Sequence, residues 1–502
     1  MPGSILRLEN VAILRISKEA RGEPDAHFLS VSRAILAGGP TKRVDRFDVE
    51  VDKDSGRIRR ILGAGFITRD IPGCDDGAEV ERVDCDGLAV MPGMIDSHVH
   101  VTASSANLRM PASMPPSLVY CRAVPILGGM LSRGFTTVRD CGGADHGLAA
   151  AIAEGTIVGP RVVFCGKALS QTGGHGDFRT AGENALPFGP CKCCNYTIGR
   201  VCDGVTACRE AVRDEARKGA GHIKIMASGG VSSPTDRLEQ LQFSEEELRA
   251  IVSEANNAKI YCAAHAYTDE AVARAVRCGV KSIEHGNYAS EATLEKLASA
   301  GGFLVPTLIT YDRLRKDGVQ DGMAPELVAK VGDLVEAGQR CLAAAKKQNV
   351  DVCYGSDLLG AMHGYQALGI NLHLAAPASV GAADVLASLT VTPARMMRME
   401  KDIGSVEVGF LADLIVVEPE VLLRPGEVLT NEERIRVIVK NGRVFKNTLG
   451  VKTHGVKRES EPSGAPAFER EAGRAEVRRV VKREAEESQM STASGRMKRE
   501  RQ

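Results

Sequence analysis

From about residue 88 onward, short apolar segments alternate with helix-like stretches, and this alternation constrains the fold more than any other feature of the sequence. Alternating strands and helices are typical of βαβ units, which build parallel sheets. Eight strands with intervening helices in roughly 300 residues favour an α/β fold of the (β/α)8 TIM-barrel type. An open doubly wound sheet is the alternative, but no G-x-G-x-x-G follows the early strands. The predicted strands are 89–99, 136–142, 161–166, 222–228, 260–267, 281–286, 303–308 and 351–357.

The segments that flank this alternation read as β-structure. Short apolar runs with turn signals fill the N-terminal flank, where Asp54-Ser55-Gly56 predicts a hairpin turn. Strand-like runs return after a helical stretch near 381–400 and predict that both flanks form one small β-sandwich around the inserted barrel. We therefore predict a sandwich from residues 1–87 and 396–448, a barrel over 88–395, and a charged, disordered tail over 449–502.

Charge and composition exclude several classes of function. Lys and Arg number 64, as do Asp and Glu, and this balance argues against a nucleic-acid-binding protein or a polybasic membrane-surface protein. No apolar run approaches the ~20 residues that span a bilayer, and the N-terminus lacks the apolar core of a signal peptide. We expect a cytoplasmic protein without nucleic-acid or membrane partners, whose 14 cysteines are reduced.

Potential metal ligands lie at or near the C-terminal ends of five predicted strands. Functional groups collect at this rim of a barrel, because every strand ends there. The two-residue spacing of His98 and His100 places both imidazoles on the same face of one strand. Neutral imidazole is a good zinc ligand, and a carboxylate can complete the set. The candidates are His98, His100, Lys224, His265, His285 and Asp357.

Each of these residues is a weak signal alone, since an isolated strand histidine is more often a core residue. Lys224 is different, because burying an unpaired ammonium group in an apolar strand costs several kcal/mol. It needs either a partner or a chemical modification. Together, the candidates follow successive strands in an order that closes a ring, which predicts a metal centre.

The run M-P-G-M-I-D-S-H-V-H-V (91–101), the strand lysine, histidines and aspartate that follow it and the closing L-A-D-L-I-V together resemble the amidohydrolase superfamily, and the resemblance covers roughly residues 5–448. Four further motifs are A-L-S-Q-T-G-G-H-G-D (168–177), I-K-I-M-A-S-G-G-V-S-S-P (223–234), S-I-E-H-G (282–286) and Y-G-S-D (354–357). They are similar to those of a branch that contains imidazolonepropionase-like proteins, Xaa-Pro dipeptidases and ochratoxinase.

The resemblance implies a hydrolase with two divalent metal ions, zinc being the favoured metal. In such a site Lys224 is carboxylated by CO2 and bridges the ions, and Asp357 moves a proton between water and the leaving nitrogen. The implied reaction is hydrolysis of an amide bond in a dipeptide-like or N-acyl amino acid substrate. One ion would be held by His98, His100 and Asp357, and the other by His265 and His285.

Two other functions remain open at this point. Hydrolysis of a cyclic amide, a lactone or another ester in the same superfamily is the nearer alternative. A scaffold protein without catalysis is the remote one, because such proteins usually lack several ligands, whereas all six candidates stand in this chain. The partner that we expect in either enzymatic case is a small molecule, and we expect the protein to be a homo-oligomer.

Residues that follow the barrel strands are candidates for substrate contacts. The segment 167–203 follows the third strand and should overhang the metal centre, with His175 as the first candidate contact. The thiols of Cys191, Cys193 and Cys194 in this segment lack the spacing of a zinc site, and we interpret them as incidental or redox-reactive. The further candidates are Arg237, His363, Tyr267 and Tyr288.

Overall fold

The structure is a computed structural model, and it describes residues 4–14, 46–63, 79–180, 182, 197–377 and 380–450. These residues lie in the first of two compact units, Met1–Thr453. The second unit, His454–Gln502, lies outside the described residues, and with it most of the tail predicted for 449–502.

The described strands fall into a flanking sheet and a barrel. In chain order they are β1 Ser4–Ile13, β2 Phe47–Asp52, β3 Arg57–Gly63, β4 Glu79–Asp84, β5 Ala89–Pro92, β6 Met94–Val99, β7 Phe135–Asp140, β8 Arg161–Phe164, β9 Ala168–Ser170, β10 Gly199–Val201, β11 His222–Met226, β12 Tyr261–Thr268, β13 Ser282–Tyr288, β14 Phe303–Val305, β15 Asp351–Val352, β16 Leu414–Val417, β17 Ile435–Lys440 and β18 Arg443–Asn447.

Helices connect most of the barrel strands. The described α-helices are α1 Pro116–Ser132, α2 His146–Ala153, α3 Gly204–Arg217, α4 Glu245–Asn257, α5 Asp269–Arg277, α6 Glu291–Ser299, α7 Leu308–Asp317, α8 Pro325–Val328, α9 Leu334–Lys347, α10 Gly369–Leu374, α11 Ala382–Ser388, α12 Val391–Met396 and α13 Pro425–Leu429. No helix in these ranges is both long enough and apolar enough to cross a membrane.

The parallel strands form the predicted (β/α)8 barrel. β6, β7 and β8 make one parallel ladder, and β11 to β15 make another, to which β9 and β10 add an edge. Backbone hydrogen bonds join the two ladders at both seams: Gly221 N–H donates to Phe164 O at 2.9 Å, and Ser97 N–H donates to Tyr354 O at 2.7 Å. The sheet therefore closes on itself, which confirms the fold class.

Both flanks of the chain contribute to the second sheet, as predicted. Its order is β18-β17-β16-β5-β1-β2-β3, with β4 paired to β1, so that C-terminal strands extend an N-terminal set. β2 and β3 form the hairpin expected at Asp54-Ser55-Gly56. Apolar side chains such as Leu6, Val49 and Val437 are fully buried between its layers.

The predicted strand 89–99 is divided in the structure. Residues 89–92 pair with β16 of the flanking sheet, and the barrel strand begins at Met94. Gly93 lies between the two strands, and a side chain there would collide with Thr136, whose Oγ1 would lie 2.1 Å from the added Cβ. The sequence pattern of one continuous apolar run hid this change, because both halves are buried.

The helices pack an apolar face against the barrel. On α4, Leu248, Ile251 and Ala255 are fully buried, and a capping box begins the helix: the Ser244 hydroxyl accepts from Glu247 N–H while the Glu247 carboxylate accepts from Ser244 N–H. This outer layer leaves the C-terminal ends of the strands as the open face of the barrel.

Candidate metal centre

The predicted ligands converge in one cleft at the C-terminal end of the barrel. The cleft is walled by segments that follow several strands. His98 ends β6, Lys224 lies on β11, His265 and His285 lie on β12 and β13, and Asp357 follows β15. The residues that line it include His98, His100, Lys224, His265, His285 and Asp357.

His98 is held by a buried ion pair behind it. Its Nδ1 lies 2.8 Å from Glu284 Oε2, and because a carboxylate only accepts, this nitrogen carries the proton. Arg139 donates to both oxygens of Glu284, at 2.7 and 2.8 Å, and all three side chains are almost completely buried. The outer Nε2 of His98 is therefore left with its lone pair towards the cleft.

The other three histidines are anchored in the same way. His100 Nδ1 lies 2.9 Å from Gly142 O, and His265 Nε2 lies 3.1 Å from Gly229 O, so both of these nitrogens donate. His285 Nδ1 contacts the hydroxyls of Thr307 at 2.7 Å and Tyr311 at 2.8 Å. Each ring thus has one nitrogen held by a carboxylate, carbonyl or hydroxyl group behind it, which is the support that metal-ligating histidines usually have.

The available nitrogens of His98 and His100 meet the carboxylate of Asp357. Their Nε2 atoms lie 3.5 and 3.4 Å from Asp357 Oδ1. Two ligands at ~2.05 Å from a tetrahedral zinc ion are about 3.3 Å apart, so these separations fit one ion between them. His98, His285 and Asp357 also form a group whose ligand atoms lie within 4.8 Å of one another. The donor set therefore fits a metal.

Burial keeps the imidazoles neutral, which a metal ligand requires. It lowers the pKa of His98, His265 and His285 well below the usual histidine value, and that of His100 to about 3. Burial also raises the pKa of Asp357 to about 7, against the opposing effect of the Lys224 charge. A carboxyl group in such a position favours a nearby cation.

Lys224 lacks a counter-ion among the residues that the structure describes. Its side chain is 1% exposed, and its Nζ lies 3.3 Å from His98 Nε2. The sequence argument that this lysine needs a partner or a modification therefore applies equally to the folded chain.

The backbone around the centre is held in uncommon geometry. His285 and Asp357 have φ angles of 73° and 51°, in the left-handed region that side chains other than glycine rarely adopt. Asp96 on β6 fixes the loop after β15, because its Oδ1 accepts from the N–H groups of His98 at 3.1 Å and Ser356 at 3.0 Å. Asp357 N–H donates to His98 O at 2.7 Å, so β6 and the loop after β15 are bound together.

Two of the predicted substrate contacts lie in the cleft. His175 stacks on His265 with ring centroids 4.2 Å apart, and its Nδ1 lies 2.7 Å from Ser233 Oγ. Tyr267 is buried beside His285, and Tyr311 donates to its hydroxyl at 3.2 Å. The described parts of the segment 167–203 add Phe178 and Ile198 to the cleft wall.

Three other candidates lie away from the cleft lining. Arg237 is exposed on the loop after β11, and Tyr288 is exposed with its hydroxyl donating to Asp333 at 2.7 Å. His363 is buried, and its Nε2 contacts Ala103 O at 3.1 Å. None of these three residues lines the cleft that holds the predicted ligands. Cys191, Cys193 and Cys194 lie outside the described residues.

Sequence reasoning missed the residues that support the ligands. Arg139, Glu284 and Tyr311 all lie behind the histidines, and none was predicted. A signal was present for the first two, because a charged residue within an apolar strand, as in T-T-V-R-D and S-I-E-H-G, has the same burial problem as Lys224. Tyr311 follows β14 in an ordinary helical pattern that carries no such signal.

Comparisons with known proteins agree with this geometry. Residues 89–445 match the amidohydrolase family. Ochratoxinase of Aspergillus niger is 32% identical over 372 residues, which cover 71% of this chain and 75% of that protein. A solved structure of a prolidase complexed with N-methylphosphonate-L-proline is 42% identical, with a TM-score of 0.76, and the match covers 89% of this chain and 100% of the prolidase chain. The crystal structure of A. niger ochratoxinase is 26% identical, with a TM-score of 0.70, and the match covers 89% of this chain and 96% of the ochratoxinase chain.

Proposed function

The chain belongs to the amidohydrolase family and is a hydrolase of carbon–nitrogen amide bonds, and from this premise we propose that its substrate is a dipeptide-like or N-acyl amino acid amide, cleaved at a pair of divalent metal ions. Zinc is the metal that the imidazole and carboxylate donors favour. The proposal assigns His98, His100 and Asp357 to one ion and His265 and His285 to the other.

The observation that carries the proposal is the convergence of unprotonated ring nitrogens on one carboxylate. The Nε2 atoms of His98 and His100 lie within 3.5 Å of Asp357 Oδ1, and the opposite nitrogen of each ring is already engaged. A bound metal ion accounts for two ring nitrogens and one carboxylate oxygen at this spacing, and no other feature of the described cleft does. A scaffold protein would gain no stability from this arrangement, because burying polar groups that face one another without partners is costly.

Divalent ions bound by these ligands would acidify water and polarise the scissile carbonyl. The chain's own residues would do the remaining work. Asp357, whose pKa burial raises to about 7, is suited to accept a proton and return it to the leaving nitrogen near neutral pH. Glu284 holds the His98 ring in the tautomer that a ligand needs.

We further propose that Lys224 is carboxylated. Its neutral amine would attack CO2, forming an N–C bond and releasing one proton, and the resulting carbamate would present two oxygens in place of a buried cation. This change supplies an anionic ligand and removes the charge that has no counter-ion among the described residues.

The cleft wall supports an amide substrate with apolar groups. Leu108 and Phe178 line it from two loops and Leu314 from α7, and His175, Ser232 and Thr310 add polar groups to the same lining. Apolar walls with a few polar groups are typical of small-molecule sites. The names of the relatives, a prolidase and an ochratoxinase, agree with amide substrates of this kind.

A hydrolysis screen tests the proposal. Purified protein loaded with zinc in the presence of bicarbonate is given Xaa-Pro dipeptides, N-acyl amino acids and, for comparison, cyclic amides and lactones. We expect turnover of the linear amides that is lost on metal removal by a chelator and in His98→Asn, and kept in the matched variant His146→Asn, which changes an exposed histidine. Turnover of the cyclic amides or lactones alone would replace this proposal with the alternative in which the enzyme hydrolyses a cyclic amide, a lactone or another ester. Light scattering of the same sample tests the predicted homo-oligomer.

A further inference from the structure

The loop that follows β11, residues 229–240, is folded against the cleft. Gly229 N–H donates to Gln240 O at 2.9 Å, and Gly230 N–H donates to Asp236 Oδ2 at 3.2 Å. A side chain at Gly230 would lie 2.2 Å from Cε1 of His175, so the loop backbone packs directly on this ring. The loop therefore has little freedom to shift without moving the cleft wall.

Two residues of the proposed site depend on this loop. Gly229 O accepts from His265, and Ser233 Oγ contacts His175 Nδ1. Between them, Val231 and Ser232 are part of the cleft lining. The loop thus forms the wall of the cleft beside His265, the proposed ligand on β12.

Lys330 binds this loop from a different part of the chain. It lies after α8, in the segment between β14 and β15, and its Nζ donates to Gly230 O at 3.2 Å, Ser233 O at 2.8 Å and Asp236 O at 2.8 Å. Its Nζ is also 3.7 Å from Asp236 Oδ1. All three donor positions of the ammonium group are therefore used on a single loop.

Three carbonyl oxygens that point at one position repel one another, and a cation at that position removes the repulsion. Hydrogen bonds from a charged donor are about twice as strong as those between neutral groups. Lys330 is about one-fifth exposed, so solvent only partly screens these contacts. Without its ammonium group, the carbonyls would have to turn towards water, and the loop would lose the conformation that presents Val231 and Ser232.

From this geometry we propose that Lys330 is a positioning residue, which fixes the 229–240 loop as the substrate-binding wall of the cleft. The inference rests on the proposed function for its kinetic readout. The metal ligand His265 should be less affected than the wall, because Gly229 is held independently by Gln240 and by the bridge between Ser228 and Leu241. Loss of Lys330 should therefore weaken substrate binding more than it slows the chemical step.

Lys330→Met is the test, with Lys281→Met as its matched control. Lys281 also donates to a backbone carbonyl, Ala300 O at 2.6 Å, but it precedes β13 and so lies at the opposite end of the barrel. We expect Lys330→Met to raise KM about 10-fold with kcat within about 3-fold of wild type. Lys281→Met should change neither constant, and Lys330→Arg should restore most of the binding, since a guanidinium group also donates to several carbonyls.

Hydrogen–deuterium exchange provides a readout that does not need activity. In Lys330→Met, amides of 229–240 should exchange faster than in wild type, while those of 281–300 and the bound metal stay unchanged. If the wild type hydrolyses no amide, the proposed function fails, and the exchange data alone decide the role of Lys330. Equal exchange and equal KM in the Lys330→Met and Lys281→Met proteins would overturn it, as would a loss of metal with unchanged KM. Lys330→Gln, which keeps an N–H donor, replaces Lys330→Met if that protein does not fold.

Discussion

At the scale of single residues, Asp357 has the most demanding role. Its carboxylate contacts two imidazoles in a half-buried position and is the proton carrier in the proposed mechanism. Asp357→Asn keeps an oxygen that can bind metal but removes the group that exchanges a proton. We therefore expect kcat/KM to fall by about 10²–10⁴-fold with metal content largely intact. Steady-state kinetics with elemental analysis of the same sample measures both, and activity near wild type would exclude the assigned role.

Glu284 acts through His98 and should affect the metal more than the reaction. Glu284→Gln weakens the acceptor of the His98 Nδ1 proton, so we expect metal affinity to fall about 10–100-fold. Chelator competition measures it, with Glu291→Gln as control, because Glu291 is an exposed glutamate paired with Lys347. Glu284→Gln also leaves Arg139 without its counter-charge, so we expect its melting temperature to be lower than that of the wild type. An unchanged metal affinity in folded Glu284→Gln would contradict this role.

Individual site residues could be predicted from the sequence where a general rule links a position in the fold to function. His98, His100, His265 and His285 occur at strand ends, and the barrel rule brings strand ends together, so their convergence could be anticipated. The Arg139–Glu284 pair could not, because its partners lie on β7 and β13, across the barrel interior. Which side chains meet there depends on the closed barrel and not on local pattern.

At the scale of elements, the sequence predicted the type of each barrel strand better than its limits. The run 89–99 proved to be two strands, and the predicted strand 351–357 is regular only over Asp351–Val352. In both places the apolar pattern continues because the chain stays buried after its direction changes. At the second place the change carries Asp357, in its left-handed conformation, into the cleft.

The N-terminal cap of α4 depends on local chemistry alone, and it offers a quantitative test of element stability. Ser244→Ala removes the side chain that accepts from Glu247 N–H, and we expect the free energy of unfolding to fall by about 1 kcal/mol. The control is Ser253→Ala on the exposed face of the same helix, which should be neutral or slightly stabilising because alanine has the higher helix propensity. Urea denaturation measures both. Equal changes in the two variants would show that the cap contributes nothing.

At the scale of the whole molecule, the barrel and the flanking sheet are joined by buried charge. Asp413 lies just before β16, and its carboxylate accepts from Arg161 of β8 and from Asn441 N–H at 2.8 Å in the turn after β17. Arg161 also donates to the Asn441 side chain. The sequence predicted that both flanks would meet, from their strand patterns, but it held no sign of this contact. Arg161 and Asp413 are 252 positions apart, and such a pair cannot be identified from one sequence without homologues.

Asp413→Ala tests whether this junction stabilises the fold. The change leaves a largely buried guanidinium without its partner, and removing one member of a buried pair costs about 3 kcal/mol or more of the free energy of unfolding. The control is Asp402→Ala, which removes a partner of Arg57 in a half-exposed pair and should cost at most about 1 kcal/mol. Urea denaturation gives both values. Because Asp413 does not line the cleft, KM and metal content should stay as in wild type while the protein is folded. Equal losses in the two variants would mean that the ion pair at this junction is no stronger than a surface ion pair.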